Sequence, residues 1–333
     1  MSELRQDLVS GDWIIVAPER FKRPQDFLKY KSPRKPPLLK TCPFEDFNLR
    51  KSTTRWPPLL SVPRDTNWRV VVVPNKYPAL RHFPGCATPL AYGPSDSITG
   101  AGEHDLVIAR DHKKNFADVS LKEAVEILKI IQRRYRRLAK DICNVYSSTF
   151  FNWGEGAGAS IFHPHYQILT LPIIPPDISH SLNGSRRYFR AHKKCVHCVL
   201  LKFDLKEKKR IIDQNQSAVS VAPYVSRVPF EVRIFPKKHS PYFEKTSEKD
   251  LACVAALLQS ALKRVRHHLK DPDLNFFIHT APFKGNYDYY HWHIEITPKI
   301  SIWGGFELGT GVDINIVDPK MAAAVLKGKV VSS

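Results

Sequence analysis

The chain has 333 residues, 43% of them hydrophobic and 25% charged, which fits a folded globular protein of two domains or one duplicated domain. Its net charge of +19 admits nucleic acid or anionic substrates as partners, but the basic residues are scattered in separate runs. No signal-peptide core is seen at the N-terminus, and the most apolar helix-like stretch, Leu251 to Leu262, is too short to span a bilayer. A cytoplasmic protein without a disulfide framework among its six cysteines is expected.

Trp13 to Val16 reads as a short strand leading into a loop where Arg20 and Arg23 stand three apart. That spacing suits a phosphate clamp or ordinary solvated charge. Residues 31–40, rich in Pro and Lys, read as loop. Cys42-Pro43-Phe44-Glu45 follows, a metal knuckle with Glu in its last place. The β-branched run Trp68 to Val73 reads as a buried strand, ending at the turn Pro74-Asn75-Lys76-Tyr77-Pro78. Asn75 there can offer its amide to a base. Another strand, His104 to Ala109, ends at Asp111-His112.

Ser120-Leu121-Lys122-Glu123 is a capping box opening a helix with apolar residues at Leu121, Val125, Leu128, Ile131 and Leu138. Arg133, Arg134, Arg136 and Arg137 are read as its solvated face. A strand at Ser148–Phe151 then leads to a Gly-rich loop, Asn152 to Ser160, able to cradle phosphate. The strand after it, Ile161 to Leu171, alternates its side chains between faces, so His163, His165 and Gln167 point the same way.

The second half repeats the pattern. Cys195-Val196-His197-Cys198 has knuckle spacing; a redox pair is the rival, but no thioredoxin-type strand-to-helix junction surrounds it. A strand at Glu231–Phe235 ends at His239, a helix opens at Ser247, and a strand at Asn275–His279 precedes His291-Trp292-His293-Ile294-Glu295. In each half a His stands eight residues before the helix-capping Ser. The His-x-His element follows that His by 51 residues in the first half, at His163, and 52 in the second, at His291. The chain therefore reads as an α+β fold of two tandem halves, 1–178 and 179–333, each an antiparallel sheet with packed helices.

Structural zinc takes four Cys, His or carboxylate ligands. The second half supplies Cys195, Cys198, His239 and His291; the first supplies Cys42, Glu45, His112 and His163. The CxxC makes the second set the clearer site. In the first, Glu45 ligates through oxygen, or the site has lost its metal and persists by packing. With His163 on metal, His165 is left as a neutral nucleophile whose attack on phosphorus gives a phosphoramidate. Gln167 cannot protonate a leaving group, but it can donate a hydrogen bond to a non-bridging phosphate oxygen. That favours handing a nucleotidyl group to another phosphate over handing it to water. Glu295 in the corresponding place would repel phosphate, so the second half reads as degenerate and His293 as structural or as a support behind the metal ligands.

The motif His163-Pro164-His165-x-Gln167 with its Gly-rich approach, Pro18 to Pro24, Cys42-Pro43-Phe44, Pro74 to Leu80 and Gly305-Phe306-Glu307 through Asn315 resemble the galactose-1-phosphate uridylyltransferase family of the histidine-triad superfamily. The resemblance covers nearly the whole chain. It implies two histidine-triad-like halves, usually a homodimer with sites near the interface. It also implies ping-pong transfer of UMP from UDP-glucose through a uridylyl-histidine to a hexose-1-phosphate in galactose metabolism. By carry-over His165 is the nucleophile, Gln167 and Ser160 hold phosphate oxygens, and Asn152 contacts the nucleotide phosphate. Asn75 lies by the base, Arg20 and Arg23 lie near the phosphates, and Phe306 and Glu307 belong to the segment that sees the sugar.

Three features depart from that family: Glu45 in the knuckle, Tyr166 where a small residue is preferred, and ligand spacing most like the ADP-glucose phosphorylase branch. That branch moves AMP to inorganic phosphate and is the alternative reading. A zinc-bearing nucleic-acid-binding or -processing protein is the remoter one; the charge supports it, but no finger, helix-turn-helix or aromatic-basic platform does.

Overall fold

The computed structural model describes residues 1–20, 39–45, 56–63 and 67–329, so Arg23 and the basic run from 29 to 38 lie outside the described residues. One ten-stranded sheet organises the molecule. Its strands are β3 (Leu60–Val62), β4 (Val70–Pro74), β7 (Glu103–Ala109), β8 (Tyr146–Trp153), β9 (His165–Leu171), β10 (Ile211–Gln214), β11 (Ala218–Val221), β12 (Val232–Pro236), β13 (Leu274–His279) and β14 (His293–Pro298). Their order is β10-β11-β12-β14-β13-β8-β9-β7-β4-β3, antiparallel throughout. Read inward from either end, the order is the same. β4-β7-β9-β8 in one half mirrors β11-β12-β14-β13 in the other, and the halves join where β8 pairs β13. The division at 178/179 falls inside the helix Pro176–His192.

Two helices cover one face: α1 (Leu121–Leu138) and α4 (Glu248–His268). The capping box at Ser120 is formed in both directions with Glu123, and Ser247 caps α4 by accepting the Asp250 N–H; such caps contribute about 1 kcal/mol each. The core they bury takes alternate sheet residues, among them Val70, Val72, Val107, Tyr166, Ile168, Ile294 and Ile296. The residues between them, including Val71, Val73, Leu106 and Ile108, face the other way against Cys42, Phe44 and Trp68. On this second face the chain places His165 and Gln167. Tyr166 points into the helix-side core, against Phe116, Phe151 and Phe276, and so stays off the face of its neighbours.

Several expectations are corrected. The strand expected from Ile161 begins at His165, and that expected from His291 begins at His293. In the first case Pro164 has no N–H to give the ladder, and pairing with β7 starts at Ile108–His165. The arginines of α1 are not simply a solvated face. Arg134 donates to Asp105 at 2.6 Å, Arg136 to the Glu244 carbonyl and Arg137 to the Leu59 carbonyl. Cys86 and Cys143, 57 residues apart in sequence, form a disulfide that folding brings together beside the hairpin β5 (Pro89–Tyr92) and β6 (Ser95–Ile98).

Two helices that sequence periodicity did not reveal, α2 (Pro176–His192) and α3 (Val196–Glu207), connect the halves. A small sheet of β1 (Glu3–Gln6), β2 (Trp13–Val16) and β15 (Asp313–Asn315) unites the two ends of the described chain. Arg5 locks it to α6 (Pro319–Leu326) through Asp318 at 2.9 Å. No described helix is long and apolar enough to cross a membrane.

Gly102 sits where β7 enters the sheet, and a Cβ there would lie 2.2 Å from the Thr170 carbonyl oxygen and 3.0 Å from Leu80 Cδ1. Gly102→Ala is expected to lower stability by about 2 kcal/mol, because backbone cannot yield as a flexible side chain can. Chemical denaturation checks this; an unchanged midpoint contradicts it.

Candidate active site and metal centres

The end of β7 and the start of β9 bring the first-half ligand set together. Glu45 Oε1 lies 3.2 Å from both His112 Nδ1 and His163 Nδ1, the two imidazole nitrogens are 3.2 Å apart, and Cys42 Sγ is 3.5 Å from His163 Nδ1. Ligand bonds of about 2.0–2.3 Å in a tetrahedron give ligand–ligand edges of about 3.3–3.8 Å, so these atoms fit one ion. The tautomer agrees. His163 Nε2–H donates to the Ala109 carbonyl at 2.6 Å, leaving Nδ1 as the free lone pair. Burial holds the His163 pKa below its ordinary value, which keeps that lone pair unprotonated.

The second set gathers likewise. Cys198 Sγ lies 3.2 Å from His239 Nδ1 and 3.4 Å from His291 Nδ1, and Cys195 Sγ joins Cys198 and His239 within 4.8 Å. The Cys198 thiol, then His239, bring the Cys195 pKa down to about 5, towards the thiolate that binds metal. Both groups are therefore able to hold a metal ion.

His165 begins β9, buried beside the edge of the Phe44 ring at 5.3 Å. Its Nδ1–H donates to the His163 carbonyl at 2.9 Å. The remaining nitrogen, Nε2, carries the lone pair. Burial lowers the His165 pKa, so the ring stays neutral below the ordinary histidine range. Two residues on, Gln167 Oε1 lies 2.9 Å from His104 Nε2. His104 was read from sequence only as the start of a strand; its place opposite the His165–Gln167 strand, on the same face, was the available signal.

The other sequence-derived residues divide. Asn152 is engaged within the loop: its amide donates to the Gly158 carbonyl at 3.3 Å and its oxygen accepts from Asn275 at 2.8 Å. The loop amide of Gly156 is held by Asp273 at 2.8 Å, a residue sequence reasoning missed. Asn75 accepts the Tyr77 N–H at 2.9 Å and lies 3.2 Å from His104 Nε2, at the edge of the same face. Ser160 and Arg20 are exposed. Phe306 and Glu307 lie on the short surface helix α5 (Gly305–Thr310), Glu307 accepting the Gly304 N–H at 2.9 Å.

The second half differs where chemistry would occur. His293 repeats the His165 geometry, donating Nδ1–H to the His291 carbonyl at 3.1 Å, but it is stacked between His279 and Phe235. Glu295 is bound by Arg233 at 3.1 Å, and Arg233 also pairs with buried Glu231 at 2.8 Å. His279, His293 and Glu295 come within 4.8 Å of one another, yet the Arg233 guanidinium already supplies their cation.

The family described as "Domain of unknown function (DUF4921)" matches residues 95–332. An ADP-glucose phosphorylase of Arabidopsis thaliana is 38% identical over 332 residues, covering 98% of this chain and 92% of that protein. A galactose-1-phosphate uridylyltransferase of Thermotoga maritima is 26% identical, covering 98% of each. Among solved structures, an Arabidopsis thaliana ADP-glucose phosphorylase with bound ADP-glucose superposes with a TM-score of 0.82 at 33% identity, over 99% of this chain and 100% of that one.

Elemental analysis of the purified protein is expected to find two transition-metal ions per chain. Cys198→Ser should reduce this to one, and His112→Ala should remove the other. A metal content unchanged by either substitution contradicts the ligand sets.

Proposed function

We propose that this chain, a sugar-nucleotide nucleotidyltransferase belonging to the DUF4921 family of galactose-1-phosphate uridylyltransferase-like proteins, transfers AMP from ADP-glucose to inorganic phosphate. The sequence favoured uridylyl transfer from UDP-glucose to a hexose-1-phosphate; the full-length match to ADP-glucose phosphorylase supports the adenylyl alternative better. Residues 1–178 are the catalytic half in this reading and 179–333 the degenerate one.

The observation that carries the chemistry is the pinned imidazole. With Nδ1–H on the His163 carbonyl, the His165 Nε2 lone pair attacks the α-phosphorus of the nucleotide sugar. The N–P bond forms as the bond from phosphorus to the bridging oxygen breaks, and glucose-1-phosphate leaves with the electron pair. An oxygen of inorganic phosphate then attacks the adenylyl-histidine, the N–P bond breaks, ADP departs and His165 regains its lone pair. Gln167 donates to a non-bridging oxygen as charge builds there. Ser160, Asn152, Arg20 and Arg23 are assigned to the phosphates, Asn75 to the base, and Phe306 and Glu307 to the sugar.

Zinc is the proposed ion for both ligand sets, given their thiolate and imidazole donors. Cys42, Glu45, His112 and His163 would hold it in the first half; Cys195, Cys198, His239 and His291 in the second. Its service is structural: a fixed His163 fixes the carbonyl that orients His165. A homodimer is part of the reading, supported by apolar side chains left at the surface near α5, with Ile302 97% and Leu308 71% exposed. So is a cytoplasmic location.

Incubation with ADP-glucose alone is expected to add one AMP mass to the protein, and none to His165→Gly. Adduct formation from UDP-glucose only would restore the uridylyltransferase reading. An undiminished adduct in His165→Gly would overturn the assigned nucleophile.

A further inference from the structure

An amide side chain at Gln167 has two ends of opposite character, and only one suits a phosphate. The NH2 end donates to a phosphate oxygen; the carbonyl end repels it. Which end faces the substrate depends on what holds the other.

His104 holds it. The Ala79 backbone N–H, which can only donate, lies 3.1 Å from His104 Nδ1. Nδ1 must therefore accept, and a neutral ring then carries its hydrogen on Nε2. That Nε2 lies 2.9 Å from Gln167 Oε1 and donates to it. Asn75 presents its own donor, Nδ2, 3.2 Å from the same nitrogen while its oxygen takes the Tyr77 N–H, so of these two neighbours only Gln167 Oε1 can accept the Nε2 hydrogen. Among the described residues the Gln167 NH2 group has no acceptor, so it is left for a ligand. The opposite ring tautomer would reverse the amide and turn its oxygen towards the phosphate.

We propose that His104 is the positioning residue for this reaction: held by the Ala79 N–H in its Nε2–H tautomer, it fixes the Gln167 amide with its donor end towards the transferred phosphate. The inference rests on the nucleotidyl-transfer reading above. The duplication supplies a contrast. Gln167 pairs with Leu106, two residues after His104; in the second half Glu295 pairs with Arg233, two residues after Glu231, and Glu231 is bound to Arg233. The fixed donor is thus confined to the half that carries Gln167. The turn that holds Ala79 also holds Asn75, so the base-side turn sets the tautomer of the ring behind the phosphate-side amide.

Two measurements test this. Nitrogen-15 NMR of the wild-type protein, labelled in its imidazoles, reads the His104 tautomer without requiring turnover. An Nε2–H ring whose resonance shifts in Gln167→Leu is expected, and an Nδ1–H ring overturns the proposal. The second is a cycle of His104→Leu, Gln167→Leu and the double variant, scored by single-turnover adduct formation from ADP-glucose in proteins whose folding is verified by circular dichroism. His104→Leu should slow the step about 10- to 100-fold with little change in substrate affinity, and the double variant should be no slower than Gln167→Leu. Losses that multiply, or a wild-type rate in His104→Leu, overturn it. Absence of any adduct in the wild type refutes the nucleotidyl-transfer reading and this catalytic role with it, and the NMR result still reports the tautomer separately.

Discussion

The proposed chemistry depends on one hydrogen bond: His165 Nδ1–H to the carbonyl two residues before it. A free imidazole interconverts its tautomers and rotates. Here the ring is buried, its Nδ1 is occupied, and Nε2 is left as the only basic atom. The accepting carbonyl belongs to His163, whose own ring is fixed by the Ala109 carbonyl on one side and by Cys42, Glu45 and His112 on the other. The candidate metal set and the proposed nucleophile are therefore adjacent links in one backbone segment. Pro164 between them removes a ladder donor and lets the chain turn from the metal cluster into the sheet.

The duplication separates what the two halves share from what only one of them carries. Both halves keep the His-x-His geometry and a cluster of candidate ligands, and both use the same strand order about the β8–β13 seam. They diverge on the face away from the helices. The first half offers neutral donors, His104 and Gln167, beside the imidazole; the second fills the equivalent space with the ion group Glu231, Arg233 and Glu295. A carboxylate at the place of Gln167 repels a phosphate, where an amide donor would attract one.

Much of this was legible in the chain. The two-residue phase of His163, His165 and Gln167, the eight-residue spacing of His and capping Ser, and the knuckles each encode local geometry, so the clustering of the candidate ligands and the α+β class could be read directly. What escaped depended on long-range packing. Helix α2 was hidden because Gly184 in its interior disfavours helix; the glycine is required because a Cβ would lie 1.8 Å from the Val9 carbonyl oxygen. Cys86 and Cys143 are 57 residues apart and meet only in the folded chain. His104 gains its meaning from Ala79 and Gln167, which lie 25 and 63 residues away. The base preference had no local signature, and full-length similarity to an ADP-glucose phosphorylase supports adenine.

The most direct test of the account is the atom that carries the nucleotidyl group. Phosphorus–nitrogen NMR of the adduct, trapped from ADP-glucose in protein with nitrogen-15 imidazoles, distinguishes the two ring nitrogens. The pinned geometry predicts a phosphoramidate on Nε2 of His165, with Nδ1 still protonated. Attachment through Nδ1, or through any other residue, would contradict it.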